Sequence, residues 1–161
     1  MQKHTVDTYS QEETEALGRR LAALLPIGAV VALRGELASG KTCLVRGMAR
    51  CFAEDNLVRS PSFTLVNEYG DGIKLYHIDL FRLSGPDDLL DLGYEDLFDP
   101  DGICVVEWAE RAEALLPPTR VDVTLEHAGQ DHRRITFTNL GLLPENWAQQ
   151  LGGTQCGRGD E

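Results

Sequence analysis

Apolar residues recur at helical spacing near the start of the chain, where Ala16, Leu17, Leu21, Leu24 and Leu25 follow Ser10 and Glu13. Ser10 and Glu13 form a capping box, so the spacing predicts an amphipathic helix over 11–25, stopped by Pro26 and Gly28. "AVVAL" (29–33) is a continuous valine-rich run that predicts a strand buried on both faces, and it enters a glycine-bearing loop directly. Beyond the loop, Leu44, Val45, Met48, Ala49 and Phe52 mark a helix with one buried stripe.

The pattern then shifts toward strands. "SFTLVNEY" (62–69) and "IKLYHIDLF" (73–81) flank Gly70, Asp71 and Gly72 and predict a hairpin, which makes the sheet mixed. "GPDDLLDLGYEDLF" (85–98) reads as a short helix and a turn, and "ICVVEW" (103–108) as a second buried strand after Asp101 and Gly102. "EWAERAEALL" is expected to be helical up to Pro117 and Pro118. "RVDVTLEH" and "RRITFTN" alternate with period two around 128–131, a second hairpin. After Leu143 the chain has room for a helical turn or two before a glycine-rich polar end, so a frayed tail over 144–161 is expected behind one domain spanning 1–143. No internal repeat is present.

Composition narrows the partners. With 25% charged and 42% apolar residues the chain is ordinary globular material, and it has no apolar run of about 18 residues to cross a bilayer. The formal net charge of −11 disfavours direct contact with a nucleic-acid backbone. The beginning lacks a secretory pattern, and Cys43, Cys51, Cys104 and Cys156 show no metal-ligand spacing, so a reducing cytoplasm is expected.

The chemistry concentrates in "GELASGKTC" (35–43), where Gly35, Gly40, Lys41 and Thr42 fit G-x-x-x-x-G-K-T between a strand and a helix. Such a loop aims backbone amides and a helix N-terminus at phosphate oxygens. Lys41 then neutralises terminal phosphates, and the Thr42 hydroxyl is a Mg2+ ligand. The metal needs an acid as well, and two compete. Glu107 ends the continuous run "ICVV", expected beside the 29–33 strand, and is assigned to the metal. Asp79 ends "LYHI", expected to be an antiparallel strand nearer the edge, and is assigned to orienting the attacking water or to a further contact of the metal's water shell. His77 lies two residues before Asp79 and is either near the site or a buried, hydrogen-bonded histidine. Trp108 is a stacking or a core aromatic, and Cys43 is inert packing. No N-K-x-D stretch is present to specify guanine, so adenine is favoured.

Taken in order, "GELASGKT", "SPSFTLVNEY", "HIDLFRL", "LGYED" and "ICVVEWAER" resemble the bacterial tRNA threonylcarbamoyladenosine biosynthesis ATPase family, TsaE, over about residues 10–140. The resemblance implies an α/β P-loop nucleoside triphosphatase fold, three-layered with a mixed central sheet. It implies weak Mg2+-dependent ATP hydrolysis supporting the threonylcarbamoyl modification of adenosine 37, in tRNAs that read codons beginning with A, within a complex of TsaB- and TsaD-type partners. Carried onto this chain, it puts the phosphate loop on Ala38, Ser39, Gly40, Lys41, Thr42 and Cys43, and the metal ligands on Thr42 and Glu107. Lys41, Asp79 and Glu107 become the catalytic set, with further nucleotide contacts near Gln11, Glu110 and the pair Arg133 and Arg134. The family's usual loop is G-[DE]-L-G-x-G-K-T, from which Ala38 departs. "SPSFTLVNEY" is either a sensor of the γ-phosphate or an ordinary strand with a capped start. A phosphotransferase would share the loop but calls for an arginine-rich lid, and the only Arg between 85 and 118 is Arg111. A nucleotide-gated binding module that hardly hydrolyses is the third class.

Overall fold

The structure is a computed structural model, and it describes residues 2–35, 40–52, 66–69, 74–80 and 102–152. The elements run β1 (Gln2–Thr8), α1 (Gln11–Leu24), β2 (Val30–Gly35), α2 (Lys41–Ala49), β3 (Val66–Tyr69) and β4 (Leu75–Asp79). They continue with β5 (Ile103–Glu107), a 3-10 helix (Ala109–Leu115), β6 (Arg120–His127), β7 (Arg133–Leu140) and α3 (Trp147–Leu151). The expected segment 85–98 lies outside the described residues, as do 62–65 and 70–73 of the first hairpin.

The strands form one seven-stranded sheet in the order β1-β7-β6-β2-β5-β4-β3. Its centre is parallel, with β2 between β6 and β5 and β4 beyond β5. Its flanks are antiparallel: β7 on β6, β1 on β7, and β3 on β4. The mixed sheet was legible in the hairpins, and β5 does lie beside β2, Val30 opposite Cys104 through Leu33 opposite Glu107. β4 meets its expectation in part: it is antiparallel to β3 and nearer the edge than β5, but it is parallel to β5, with Leu75, His77 and Ile78 fully buried.

Alternation along each strand sorts the core into two faces. Val31, Leu33, Val105, Val123, Leu125, Ile135 and Phe137 meet α1, α2 and α3, whereas Val30, Ala32, Ile78, Cys104 and Val106 meet Ala109 and Leu116 on the other face. α1 follows its capping box as expected: the Glu13 amide donates to Ser10 Oγ at 3.1 Å and the Tyr9 amide to Glu13 Oε1 at 2.8 Å.

Three expectations change. β1 was not expected as a strand, because Val6 is the sole apolar residue on its buried face beside His4 and Thr8. Those two polar groups are satisfied by Gly152 O and Thr14 Oγ1. The stretch before Pro117 is a 3-10 helix, and it begins after Trp108 in the left-handed region (φ 58), which interrupts any continuous helical start. The helical turn allowed after Leu143 is present as α3, but it is packed rather than frayed: Trp147 and Leu151 are in the core, and Trp147 Nε1 donates to Gln2 Oε1 at 2.8 Å, while 153–161 lie outside the described residues. Trp147→Phe is expected to cost about 2 kcal/mol, from the lost hydrogen bond and an imperfect fill of the indole's space. Urea denaturation measures it, and a change under about 0.5 kcal/mol, the size usual for surface substitutions, would show the helix to be loosely attached.

Candidate functional site

The site assembles at the end of the parallel strands because β2, β4 and β5 run the same way, β4 and β5 stopping at Asp79 and Glu107 level with Leu33 and β2 running on to Gly35. β2 ends at Gly35, and α2 begins at Lys41 after Gly40, whose φ of 104 suits glycine alone. The N-cap of α2 is Gly40, which has no side chain to give a capping bond, and the helix end there carries a partial positive charge. Glu36, Leu37, Ala38 and Ser39 lie outside the described residues, and with them the departure from the family's loop at Ala38.

Lys41 is 5% exposed, a rare state for a lysine. Its ammonium donates to the Gly35 carbonyl and sits 4.2 Å from the centroid of the Trp108 ring. Trp108 reaches that position through its left-handed backbone immediately after β5; among the described residues it is the only non-glycine residue with positive φ, a conformation that costs about 1 kcal/mol.

Register brings the two acids together. Asp79 pairs with Glu107 across β4 and β5, and the Leu80 amide donates to the Glu107 carbonyl at 3.1 Å. Glu107 has the parity of Ile103 and Val105, which places it on the α2 face of the sheet. It is 3% exposed and accepts a 2.5 Å bond from Nε2 of fully buried His77. Both readings of His77 therefore hold at once: it is a buried, bonded histidine, and its partner is the candidate metal ligand.

The outer candidates separate. The Cys43 thiol reaches the Gln11 carbonyl at 3.9 Å, which sets Gln11 beside the first turn of α2. Burial raises the Cys43 thiol above its ordinary pKa, in keeping with packing rather than nucleophilic chemistry. A Cβ built on Gly40 would lie 3.7 Å from Arg133 Cγ, so Arg133 flanks the loop, its guanidinium held by the carbonyls of Gly129, Gln130 and His132. Arg134 turns to the opposite face and donates to Asp7 at 3.1 Å. Burial would raise Asp7, but bonds from His132 and Arg134 outweigh it and hold the carboxyl below its ordinary value. Glu110 is exposed and within electrostatic reach of Arg34, which also faces away from α2 toward Glu113 and Asp122. Burial would lower the Arg34 pKa, yet those carboxylates raise it, so this cluster reads as a surface ion network. Thr42 is half-buried in the first turn of α2. No group of three His, Cys, Asp or Glu side chains among the described residues could hold a metal ion by itself.

Two contacts were not anticipated: the Lys41 ammonium over Trp108, and the Glu107 carboxylate on His77. The signal for the second was available, since His77 and Asp79 share a strand face and Glu107 ends the neighbouring run. The first depends on a backbone conformation that local sequence does not announce.

The architecture and the motifs have known counterparts. The family model of the threonylcarbamoyl adenosine biosynthesis protein TsaE matches residues 8–135. The tRNA threonylcarbamoyladenosine biosynthesis protein TsaE of Bacillus subtilis is 39% identical over 145 residues, covering 89% of this chain and 90% of the relative. That of Treponema pallidum is 38% identical over 127 residues, covering 79% and 94%. The crystal structure of Bacillus subtilis YdiB superposes with a TM-score of 0.73 at 34% identity, covering 93% of this chain and 91% of the other. A match that runs from the end of β1 into β7 takes in Lys41, His77, Asp79 and Glu107 together, and the chain belongs to the TsaE family of tRNA threonylcarbamoyladenosine biosynthesis proteins.

Proposed function

We propose that this protein is a P-loop ATPase of three-layer α/β architecture, in which residues 35–42 bind ATP and Mg2+ in support of threonylcarbamoyl modification of tRNA adenosine 37. The observation that carries the reading is the convergence of a helix N-terminus, a buried lysine and a buried carboxylate at the ends of β2 and β5. A lysine and a glutamate this buried at the mouth of an anion-attracting helix end fit a magnesium triphosphate, which needs both signs of charge within a few ångströms. Bound there, the nucleotide supplies a phosphoanhydride to hydrolyse, and the metal supplies charge that steadies the phosphate oxygens.

The chain's own residues divide the remaining work. Lys41 would exchange the Gly35 carbonyl for terminal phosphate oxygens, the Thr42 hydroxyl and the Glu107 carboxylate would hold Mg2+, and Asp79 would orient water from the adjacent strand end. Gln11 and Arg133, both beside the start of α2, complete the nucleotide contacts, whereas Glu110 stands with Arg34 in the surface ion network. The net charge of −11 suits a protein that docks TsaB- and TsaD-type partners and leaves the tRNA to them. No helix of the described residues is long and apolar enough to cross a membrane, and the cytoplasm is the proposed place of action.

The test measures nucleotide binding and phosphate release with Mg2+ and with EDTA, alone and with the two partner proteins. ATP is expected to bind in preference to GTP, to be hydrolysed slowly and only with Mg2+, and to govern association with the partners. Absence of ATP binding in the presence of Mg2+ and both partners would overturn the reading. Faster phosphate transfer to a sugar or nucleoside than to water would move the protein to the phosphotransferases.

A further inference from the structure

We infer that His77 is a positioning residue that holds the Glu107 carboxylate in its metal-binding orientation; the inference rests on the proposed role of Glu107. Glutamate has three rotatable side-chain bonds, and a strand end by itself does not choose among their rotamers. Here the choice is made by His77, which projects from β4 one strand away, on the same face and two residues before Asp79. Its register partner is Val105, so the imidazole lies one step down the sheet from Glu107, and Nε2 meets Oε2 at 2.5 Å.

An ionised carboxylate is an acceptor only, so Nε2 carries the proton and the bond consumes one of the lone-pair directions on Oε2. The carboxylate keeps its other oxygen for a cation, and its plane is set by a ring that is itself 0% exposed and locked in the core. Histidine is a costly residue to bury in a sheet for packing alone, because an apolar side chain of similar volume would need no partner. Hydrogen bonds that orient a metal ligand in this way are commonly worth 10–100-fold in metal affinity.

The experiment titrates Mn2+ by electron paramagnetic resonance into the full chain with ADP, and separately measures ADP affinity in EDTA. His77→Leu is expected to weaken Mn2+ binding about 10-fold or more while metal-free ADP affinity stays within about twofold. His77→Gln places an amide donor near the position of Nε2 and is expected to recover most of the loss; His77→Asn stops short and is not. A merely structural histidine would lower thermal stability in the variants without separating metal affinity from nucleotide affinity. Mn2+ binding within twofold of the parent in His77→Leu, or equal Mn2+ affinities in the Gln and Asn variants if the Leu variant does not fold, would overturn the inference alone. A parent whose ADP binding is indifferent to Mn2+ would overturn both the inference and the role of Glu107.

Discussion

Gly47→Ala is expected to destabilise the protein by about 4 kcal/mol or more, an effect in the range reserved for severe steric faults. The sign is diagnostic, since an exposed helical glycine replaced by alanine gains up to about 1 kcal/mol from helix propensity. Gly47 lies mid-helix in α2, where α1 crosses so closely that a Cβ would sit 1.9 Å from the Glu15 carbonyl oxygen and 2.6 Å from its carbon. Gly18 does the same from α1, its Cβ falling 2.1 Å from the Leu44 carbonyl oxygen. Both obstacles are backbone, which no rotamer change can clear, so α1 and α2 must separate and surrender the packing of Leu17, Leu21, Leu44 and Met48, each fully buried. Thermal denaturation is expected to show a midpoint lower by roughly 10 °C. A midpoint within about 3 °C, the shift that roughly 1 kcal/mol produces in a chain of this size, would mean the two helices do not cross as described.

That crossing also marks where sequence patterning stops informing. Leu17, Leu21, Leu44 and Met48 announced two amphipathic helices, but nothing in their spacing says that the helices touch one another at Gly18 and Gly47. The buried parallel strands were legible because both of their faces are apolar. β1 was not, because its inward side chains are His4, Val6 and Thr8, and their burial depends on partners contributed by Gly152 and Thr14. α3 was obscured for a similar reason: its two core residues, Trp147 and Leu151, are too few for a periodic signal and gain meaning only against β1 and α1.

The candidate site was more legible than its support. Lys41, Thr42 and Glu107 followed from a loop pattern and a strand end, and Asp79 from a second strand end whose register the structure supplies. Parity distinguished Arg133 from Arg134, since neighbours on a strand face opposite ways; the hairpin reading contained that alternation, but not which face belongs to α2. The turn at Trp108 had no local signal, because left-handed tryptophan is unusual and is held here by contacts from elsewhere in the chain.

Lys41→Met is expected to lower Mg2+-dependent ATP hydrolysis by about 100-fold or more, the scale on which removing one preorganised positive donor acts. Methionine keeps an unbranched stem of similar length against the Trp108 ring, so the substitution isolates the charge from the packing. Among the contacts described, Lys41→Met loses the bond to the Gly35 carbonyl, about 1.5–3 kcal/mol for a charged donor, and a cation–π contact worth about 2 kcal/mol or more when desolvated. Against this, burying an ammonium at 5% exposure carries a desolvation cost that methionine removes, so the net change in folding free energy is expected to be small. A large loss of hydrolysis with a nearly unchanged urea midpoint is thus the signature of a lysine kept buried for a ligand. Phosphate release measured at saturating ATP reads the first quantity and urea denaturation the second. Hydrolysis within threefold of the parent would remove Lys41 from the phosphate site, and a collapse of stability with proportionate loss of activity would make its burial structural.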